Sequence, residues 1–200
     1  MFQLTAWIMA IFVVTASTTK APEKPQPNTD CSAVTSGSLS TRINDFCYYL
    51  NKADTSMWHD GMNICNELVY GSSVGRLAIV DSLPLLHSIQ QFFTIAYGGL
   101  PNNVAWWIGL KQTDTSDEPA GNWHWMNADG TTVNRTSQVL WRPGQPDNDA
   151  HDPQDCGCLW SYEGEFDIDD CYCKENGVHA VATLCELYVP RWNGQKVDEK

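Results

Sequence analysis

Residues with the chemistry of a metal site are concentrated in the last third of the chain. Residues 141–147 read Trp-Arg-Pro-Gly-Gln-Pro-Asp, residues 154–156 read Gln-Asp-Cys, and residues 169–173 read Asp-Asp-Cys-Tyr-Cys. These segments place carboxylate and amide oxygens around a proline and beside cysteines. Oxygen atoms are the ligands that calcium prefers, and an incomplete set leaves coordination positions free for a second ligand. The pattern therefore predicts a calcium site that also contacts a ligand.

The cysteine content and the N-terminus indicate a secreted protein. The chain has 200 residues, which favours one domain, and its eight cysteines favour disulfides in an oxidising compartment. Residues 4–14 are mostly apolar and residues 14–16 include small side chains suited to cleavage, so residues 1–16 are predicted to be a signal peptide. No Lys or Arg precedes the apolar run, which leaves a signal anchor as the alternative. That run is shorter than the ~20 residues of a spanning helix.

The chain after the signal peptide divides into three parts. Pro22, Pro25 and Pro27 oppose helix and sheet, so residues 17–30 are predicted to be an extended, proline-rich linker. The folded domain is expected to span residues 31–187. Residues 188–200 are expected to form a polar tail. An extracellular location follows from the signal peptide and the cysteines.

The charge balance argues against nucleic acid as a partner. Asp and Glu total 24 against 12 Lys and Arg, a formal net charge of −12. Binding to nucleic acid would require clustered basic residues. An acidic surface keeps a secreted protein soluble or binds cations, and charge alone does not choose between these roles.

Hydrophobic spacing predicts an α+β domain with helices early and strands late. Trp58, Met62, Cys65 and Val69 recur at helical spacing, with Asp54 or Thr55 as the cap. A second helix is expected over residues 83–96, capped by residue 81 or 82, with a proline harmlessly in its first turn. Residues 106–110 are predicted to be a buried strand, and residues 111–155 are rich in loops.

The chain resembles the C-type lectin-like domain family over nearly the whole domain. Residues 107–110 read Trp-Ile-Gly-Leu, and Trp123-x-Trp125 precedes Asp129-Gly130, as in that family. The resemblance implies two helices packed on small antiparallel sheets, with a long loop region and disulfides. It gives the tryptophans a packing role rather than a binding role: Trp107, Trp123, Trp125 and Trp141.

The resemblance also implies disulfides. It pairs Cys65 with Cys185 and, as in long-form members, Cys31 with Cys47. For the other four cysteines, residues two apart on a strand share a face, so antiparallel neighbours would place Cys156 opposite Cys173 and Cys158 opposite Cys171. Two bridges are predicted there. A four-thiolate metal site is the rival, which an oxidising compartment disfavours.

Five calcium ligands follow from the resemblance, and the same residues contact the sugar: Gln145, Asp147, Gln154, Asp169 and Asp170. A cis Gln145–Pro146 bond is expected. Gln154 replaces a Glu and Asp169 replaces an Asn, so the charge is roughly unchanged. Asp152 is an alternative to Gln154. Further calcium ions are a weaker expectation near a second set of residues: Asp114, Asp117, Glu118, Asn148 and Asp155.

The alignment of the acidic pair has two registers. Counting back from Cys173 makes Asp169 and Asp170 the ligands. Counting back from Cys171 would put Asp167 and Ile168 there, and Ile168 cannot bind calcium. The first register keeps the family's spacing from Asp170 to its cysteine. The second register would align Phe166 with a Trp of the family, which the first register does not. The residues alone therefore leave the register open.

Gln-Pro-Asp in this family accompanies galactose-type ligands, whereas Glu-Pro-Asn accompanies mannose-type ligands. Sugar hydroxyls in such a site bind calcium, donate to a carboxylate and accept from an amide, so the positions of amides and carboxylates select the sugar. Galactose-binding members usually add an aromatic ring after the tripeptide, and here His151 is the only ring in that loop. We expect a galactose or N-acetylgalactosamine lectin with relaxed specificity and His151 at the sugar.

Three other functions remain open to different degrees. The first is a calcium-independent module that binds proteins, and the second is an acidic matrix or mineral-associated protein. An enzyme is disfavoured because the five His residues have no zinc-binding spacing and no nucleophile motif is present.

Asn134-Arg135-Thr136 predicts N-glycosylation. A homo-oligomer is expected because lectins gain avidity from several sites.

Overall fold

The computed structural model describes residues 31, 39–52, 57–119, 121–133, 139–148, 153–174 and 181–190. Several sequence predictions lie outside these residues: the signal peptide, the proline-rich linker, most of the polar tail, and the roles of Asn134, His151 and Asp152.

One mixed sheet and a small hairpin make up the strands. The strands are β1 Leu39–Ile43, β2 Phe46–Asn51, β3 Val69–Tyr70, β4 Ser73–Val74, β5 Arg76–Leu77, β6 Val104–Gln112, β7 Trp123–Trp125, β8 Cys156–Tyr162, β9 Glu165–Cys171 and β10 Val181–Tyr188. The sheet order is β1-β2-β10-β6-β8-β9, with β5 on β10, β7 on β6, and β3-β4 apart. All named pairs are antiparallel except β10 with β6.

The helices are α1 Trp58–Asn66 and α2 Leu83–Tyr97. The first prediction ran too far, because Val69 lies in β3 and is exposed. The predicted cap was also wrong: α1 is capped at Met57 without a side-chain hydrogen bond. Helix α2 begins and ends within one residue of the expectation and has its proline in the first turn. Ser82 occupies the cap position without a side-chain hydrogen bond.

Each face of the sheet is covered by a different helix. Alternate side chains of a strand face opposite sides, and in β6 Trp106 packs in one core cluster while Trp107 packs in the other. Leu86 and Phe93 of α2 belong to the first cluster, and Trp58 of α1 belongs to the second. The sheet is therefore buried on both sides, which holds β8 and β9 in place.

Four disulfides join the pairs expected from the sequence: Cys31–Cys47, Cys65–Cys185, Cys156–Cys173 and Cys158–Cys171. The expected strand register was wrong. Cys156 lies opposite Cys171, and Cys158 lies opposite Asp169, so both bridges of this hairpin are diagonal. An offset of two residues along a strand keeps all four sulfurs on one face of the hairpin. The predicted cysteine pairs can therefore form although the predicted strand register was wrong.

No helix within the described residues combines the length and the apolar character needed to cross a membrane.

Candidate functional site

Two adjacent carboxylates on β9 face opposite sides of the sheet. Asp169 lies opposite Cys158, and Asp170 lies opposite Gly157. Neighbouring residues of a strand alternate between faces, so each side chain meets a different part of the molecule. Both residues are almost fully buried, with 1% and 2% of their surface exposed.

Asp170 holds the loop that contains the Gln-Pro-Asp tripeptide. Its Oδ2 accepts hydrogen bonds from the main-chain N–H groups of Asn148 at 2.8 Å and Asp147 at 3.2 Å. Burial raises the pKa of Asp170, and these N–H donors oppose that rise. The preceding Gln145–Pro146 peptide bond is cis, as expected.

Asn148 extends this contact to the next predicted ligand. Its side-chain Oδ1 accepts a hydrogen bond from the main-chain N–H of Gln154 at 2.9 Å. Asn148 has a φ of +50°, in the left-handed region that Asn tolerates better than most residues. The hydrogen bonds from the loop to Asp170, together with the one from Gln154 to Asn148, link the segments around Asp147, Gln154 and Asp170. Asp147 is exposed, so this side of the loop is open to solvent.

Asp169 pairs with a cation that the sequence did not identify. Arg142 Nη2 lies 2.9 Å from Asp169 Oδ2, with only 2% of the Asp169 side chain exposed. The Arg142 guanidinium carbon also lies 4.9 Å from the centre of the Trp160 ring. Burial raises the pKa of Asp169 to about 7; Arg142 lowers it, while Asp170 and Asp147 raise it. Asp147 also raises the pKa of Asp170, so the charges of the three carboxylates oppose one another.

The position of Ile168 bears on the two possible registers. Its side chain is fully buried in the core, and its carbonyl accepts a hydrogen bond from the main-chain N–H of Arg142 at 2.9 Å. Trp141 forms a parallel bridge with Ile168. This contact sets the segment before the Gln-Pro-Asp tripeptide beside β9, and Asp170 then reaches the main chain of Asp147 and Asn148 at the end of the tripeptide.

The donor set has the chemistry that calcium requires, but two of its carboxylates already contact protein groups. Asp169 pairs with Arg142, and Asp170 accepts hydrogen bonds from main-chain N–H groups. Among the described residues, no three His, Cys, Asp or Glu side chains are arranged as a metal-binding group. The Oε1 atom of Gln145 is buried and has no hydrogen-bond partner within the described part of the chain. Such an atom costs about 1–3 kcal/mol, and a cation would satisfy it.

The weaker second set of acids is only partly assembled. Burial raises the pKa of Glu118, and the charges of Asp155 and Asp170 add to the rise. Asp114 instead caps a short 3-10 turn by accepting a hydrogen bond from the Ser116 N–H at 2.9 Å.

Sequence reasoning overlooked Arg142 and Trp160. Arg142 stands three residues before Gln145, and Trp160 stands two residues after Cys158 on the cysteine face of β8. The alternation of β8 could have placed Trp160 on that face. Its contact with Arg142 joins residues from a loop and a strand, and no local pattern signals such a contact.

No protein-family model matches this chain, and no curated protein matches it. Many solved structures resemble it, and three of them illustrate the similarity. The C-type lectin CEL-I from Cucumaria echinata is 21% identical with a TM-score of 0.54, covering 74% of this chain and 94% of that one. A mouse scavenger receptor C-type lectin carbohydrate-recognition domain is 24% identical with a TM-score of 0.51, covering 77% and 97%. Human lithostathine is 21% identical with a TM-score of 0.55, covering 76% and 98%.

These similarities establish the fold of the chain. It is the C-type lectin-like fold, an α+β arrangement with two helices and disulfides, as the sequence predicted. The strands form one mixed sheet and a small hairpin, whereas small antiparallel sheets were expected. At such identities the comparison extends to the fold alone.

Proposed function

We propose that this protein is a calcium-dependent lectin. The observation that carries the proposal is the gathering of oxygen donors around the Gln-Pro-Asp loop, with the buried Gln145 Oε1 lacking a partner in the described chain. The fold similarity to a carbohydrate-recognition domain supports it. The calcium ligands that we propose are the five residues that the resemblance to the C-type lectin-like domain family implies: Gln145, Asp147, Gln154, Asp169 and Asp170.

Each residue type has a separate role in binding. Bound calcium would supply a positive charge to which two sugar hydroxyls can coordinate. Carboxylates such as Asp147 accept hydrogen bonds from those hydroxyls, and the amides of Gln145 and Gln154 donate to them. Asp170 orients the loop through the main chain of Asp147 and Asn148.

The finer proposal is a preference for galactose or N-acetylgalactosamine with relaxed specificity. It rests on the order Gln145-Pro146-Asp147, which sets the amide before the proline and the carboxylate after it. His151 remains the ring that we propose beside the sugar, although it lies outside the described residues.

The wider context is proposed on the same basis. We infer that the protein is not an enzyme, and that it is secreted after removal of residues 1–16. The linker at 17–30, the lectin domain at 31–187 and the tail at 188–200 remain predictions, as do glycosylation of Asn134 and assembly into homo-oligomers.

The test is retention of the mature protein on galactose and mannose resins, with calcium and then with a chelator. We expect retention on galactose, elution by the chelator, and a rise in melting temperature with calcium. An Asp147→Ala variant should lose both effects, and Glu165→Gln on the exposed side of β9 is the control. Retention that persists in chelator would contradict the proposal.

A protein-binding module that needs no calcium is the second candidate. It is favoured because protein groups contact both buried acids: Arg142 contacts Asp169, and main-chain N–H groups donate to Asp170. The two functions differ in a direct binding measurement: if titration calorimetry detects no calcium binding to the mature protein, the second candidate is favoured.

A further inference from the structure

We propose that Arg142 is a built-in counter-cation of the acidic site and sets the calcium concentration at which the site fills. The inference rests on the proposed calcium function. It assigns a role to a residue outside the proposed ligand set, through its contact with Asp169.

The contact is direct and largely shielded from water. Arg142 Nη2 lies 2.9 Å from Asp169 Oδ2, and 23% of the Arg142 side chain and 2% of the Asp169 side chain are exposed. The contact lacks the alignment of a hydrogen bond, because Asp169 Oδ2 has no hydrogen-bond partner in the described chain. The attraction is therefore mainly one of charge, which a second cation can replace.

The site needs a cation when calcium is absent. Asp169 and Asp170 are neighbours on β9 and are only 1% and 2% exposed, so two adjacent carboxylates are buried there. An uncompensated buried charge is strongly destabilising, and a nearby guanidinium offsets this cost.

Trp160 holds the guanidinium in this position. The Arg142 guanidinium carbon lies 4.9 Å from the centre of the Trp160 ring, a distance at which a cation is attracted to the aromatic face. Trp160 lies opposite Asp167, one pair along the same face from Cys158 and Asp169. The ring and the carboxylate therefore fix the guanidinium from different strands.

Calcium and Arg142 compete because both are cations directed to Asp169. A guanidinium near a bound divalent ion weakens binding by repulsion and by its hold on the carboxylate. At the effective dielectric constant near a protein surface, removing one such positive charge should increase the affinity for calcium roughly tenfold. Arg142 thus stabilises the calcium-free protein and raises the calcium concentration needed for binding.

The test compares Arg142→Met with Arg142→Lys by titration calorimetry with calcium chloride, together with melting temperatures in a chelator. Arg142→Met should bind calcium roughly tenfold more tightly and melt at a lower temperature without calcium. Arg142→Lys should retain an affinity close to that of the wild type. Lys52→Met removes an exposed cation one residue after β2 and is the control for affinity, which it should leave unchanged. Because Lys52 Nζ lies 4.1 Å from the centre of the Tyr97 ring, this variant is not a control for melting temperature. Trp160→Leu should shift affinity in the same direction as Arg142→Met, but less.

The outcomes separate this inference from the function on which it rests. If the wild type binds calcium and Arg142→Met binds it equally or more weakly, the role of Arg142 is refuted and the calcium function stands. If neither protein binds calcium, the proposed function fails and the inference fails with it. A double-mutant cycle of Arg142→Met and Asp169→Asn in chelator then tells whether the ion pair itself stabilises the fold.

Discussion

The carboxylate of Asp170 accepts a hydrogen bond from the main-chain N–H of Asn148 over 2.8 Å. This contact ties β9 to the loop after Pro146, across 22 residues of sequence. The same Asp170 oxygen accepts from the N–H of Asp147. One side chain thus fixes the loop on which the candidate site depends.

Replacing Asp170 by Ala should destabilise the protein even in a chelator. The N–H groups of Asp147 and Asn148 lose their acceptor, which costs about 1–3 kcal/mol in the free energy of unfolding. Urea denaturation in chelator measures this change. The control is Glu165→Gln, an exposed substitution on the same strand that should change stability little. Equal stability of the Asp170→Ala variant and the wild type would show that the hydrogen bonds contribute nothing.

Exchanging Gln145 for Glu together with Asp147 for Asn should move the sugar preference from galactose toward mannose. The exchange reverses the positions of amide and carboxylate on either side of Pro146 and keeps the number of oxygen donors. A hydroxyl left unpaired costs about 1–3 kcal/mol, enough for roughly a tenfold or larger change in the ratio of affinities. Competition by free galactose and free mannose measures that ratio, and an unchanged ratio would count against the proposed role of the tripeptide.

Removing the bridge between Cys158 and Cys171 by substituting Ala at both positions should lower stability without unfolding the domain. The bridge closes a loop of 13 residues, so its loss should cost roughly 3 kcal/mol in the chain-entropy account. The fold should persist because Cys156–Cys173 spans the same hairpin. Calcium affinity should also weaken, since β9 carries Asp169 and Asp170. Denaturation and calorimetry measure the two effects, and unaltered calcium affinity would mean that the remaining bridge suffices.

Glu186 should make stability depend on pH. Burial raises its pKa above the usual 4.5, while Arg76, 2.9 Å away, and the Ile79 N–H oppose the rise. A raised folded pKa means that the contribution to stability is complete below pH 4.5 and is lost as the pH rises through the folded pKa. The free energy of unfolding of the wild type should therefore fall relative to that of Glu186→Gln as the pH rises. Denaturation at pH 4.5 and pH 8 tests this, and a constant difference between the proteins would refute it.

Local patterns in the sequence were enough for much of the fold. Helical spacing located α2 within one residue at each end, because its apolar stripe and first-turn proline are local signals. The same reasoning failed at Val69, where helical spacing continued by coincidence into an exposed hairpin. The cysteine pairs were predicted correctly, whereas the register of β8 against β9 was wrong by two residues. Disulfides constrain which cysteines meet but tolerate a diagonal arrangement.

The sequence by itself determined the types and spacing of the donors: a Gln-Pro-Asp tripeptide, a Gln two residues before a cysteine, and an acidic pair before another cysteine. Only the tertiary structure decided what each donor contacts. Asp169 and Asp170 are adjacent in sequence, yet one pairs with Arg142 and the other with the Asn148 main chain. Strand alternation sends them to opposite faces, and the partner on each face comes from a distant segment. A contact between distant segments depends on how the whole chain packs, so no local spacing specifies it.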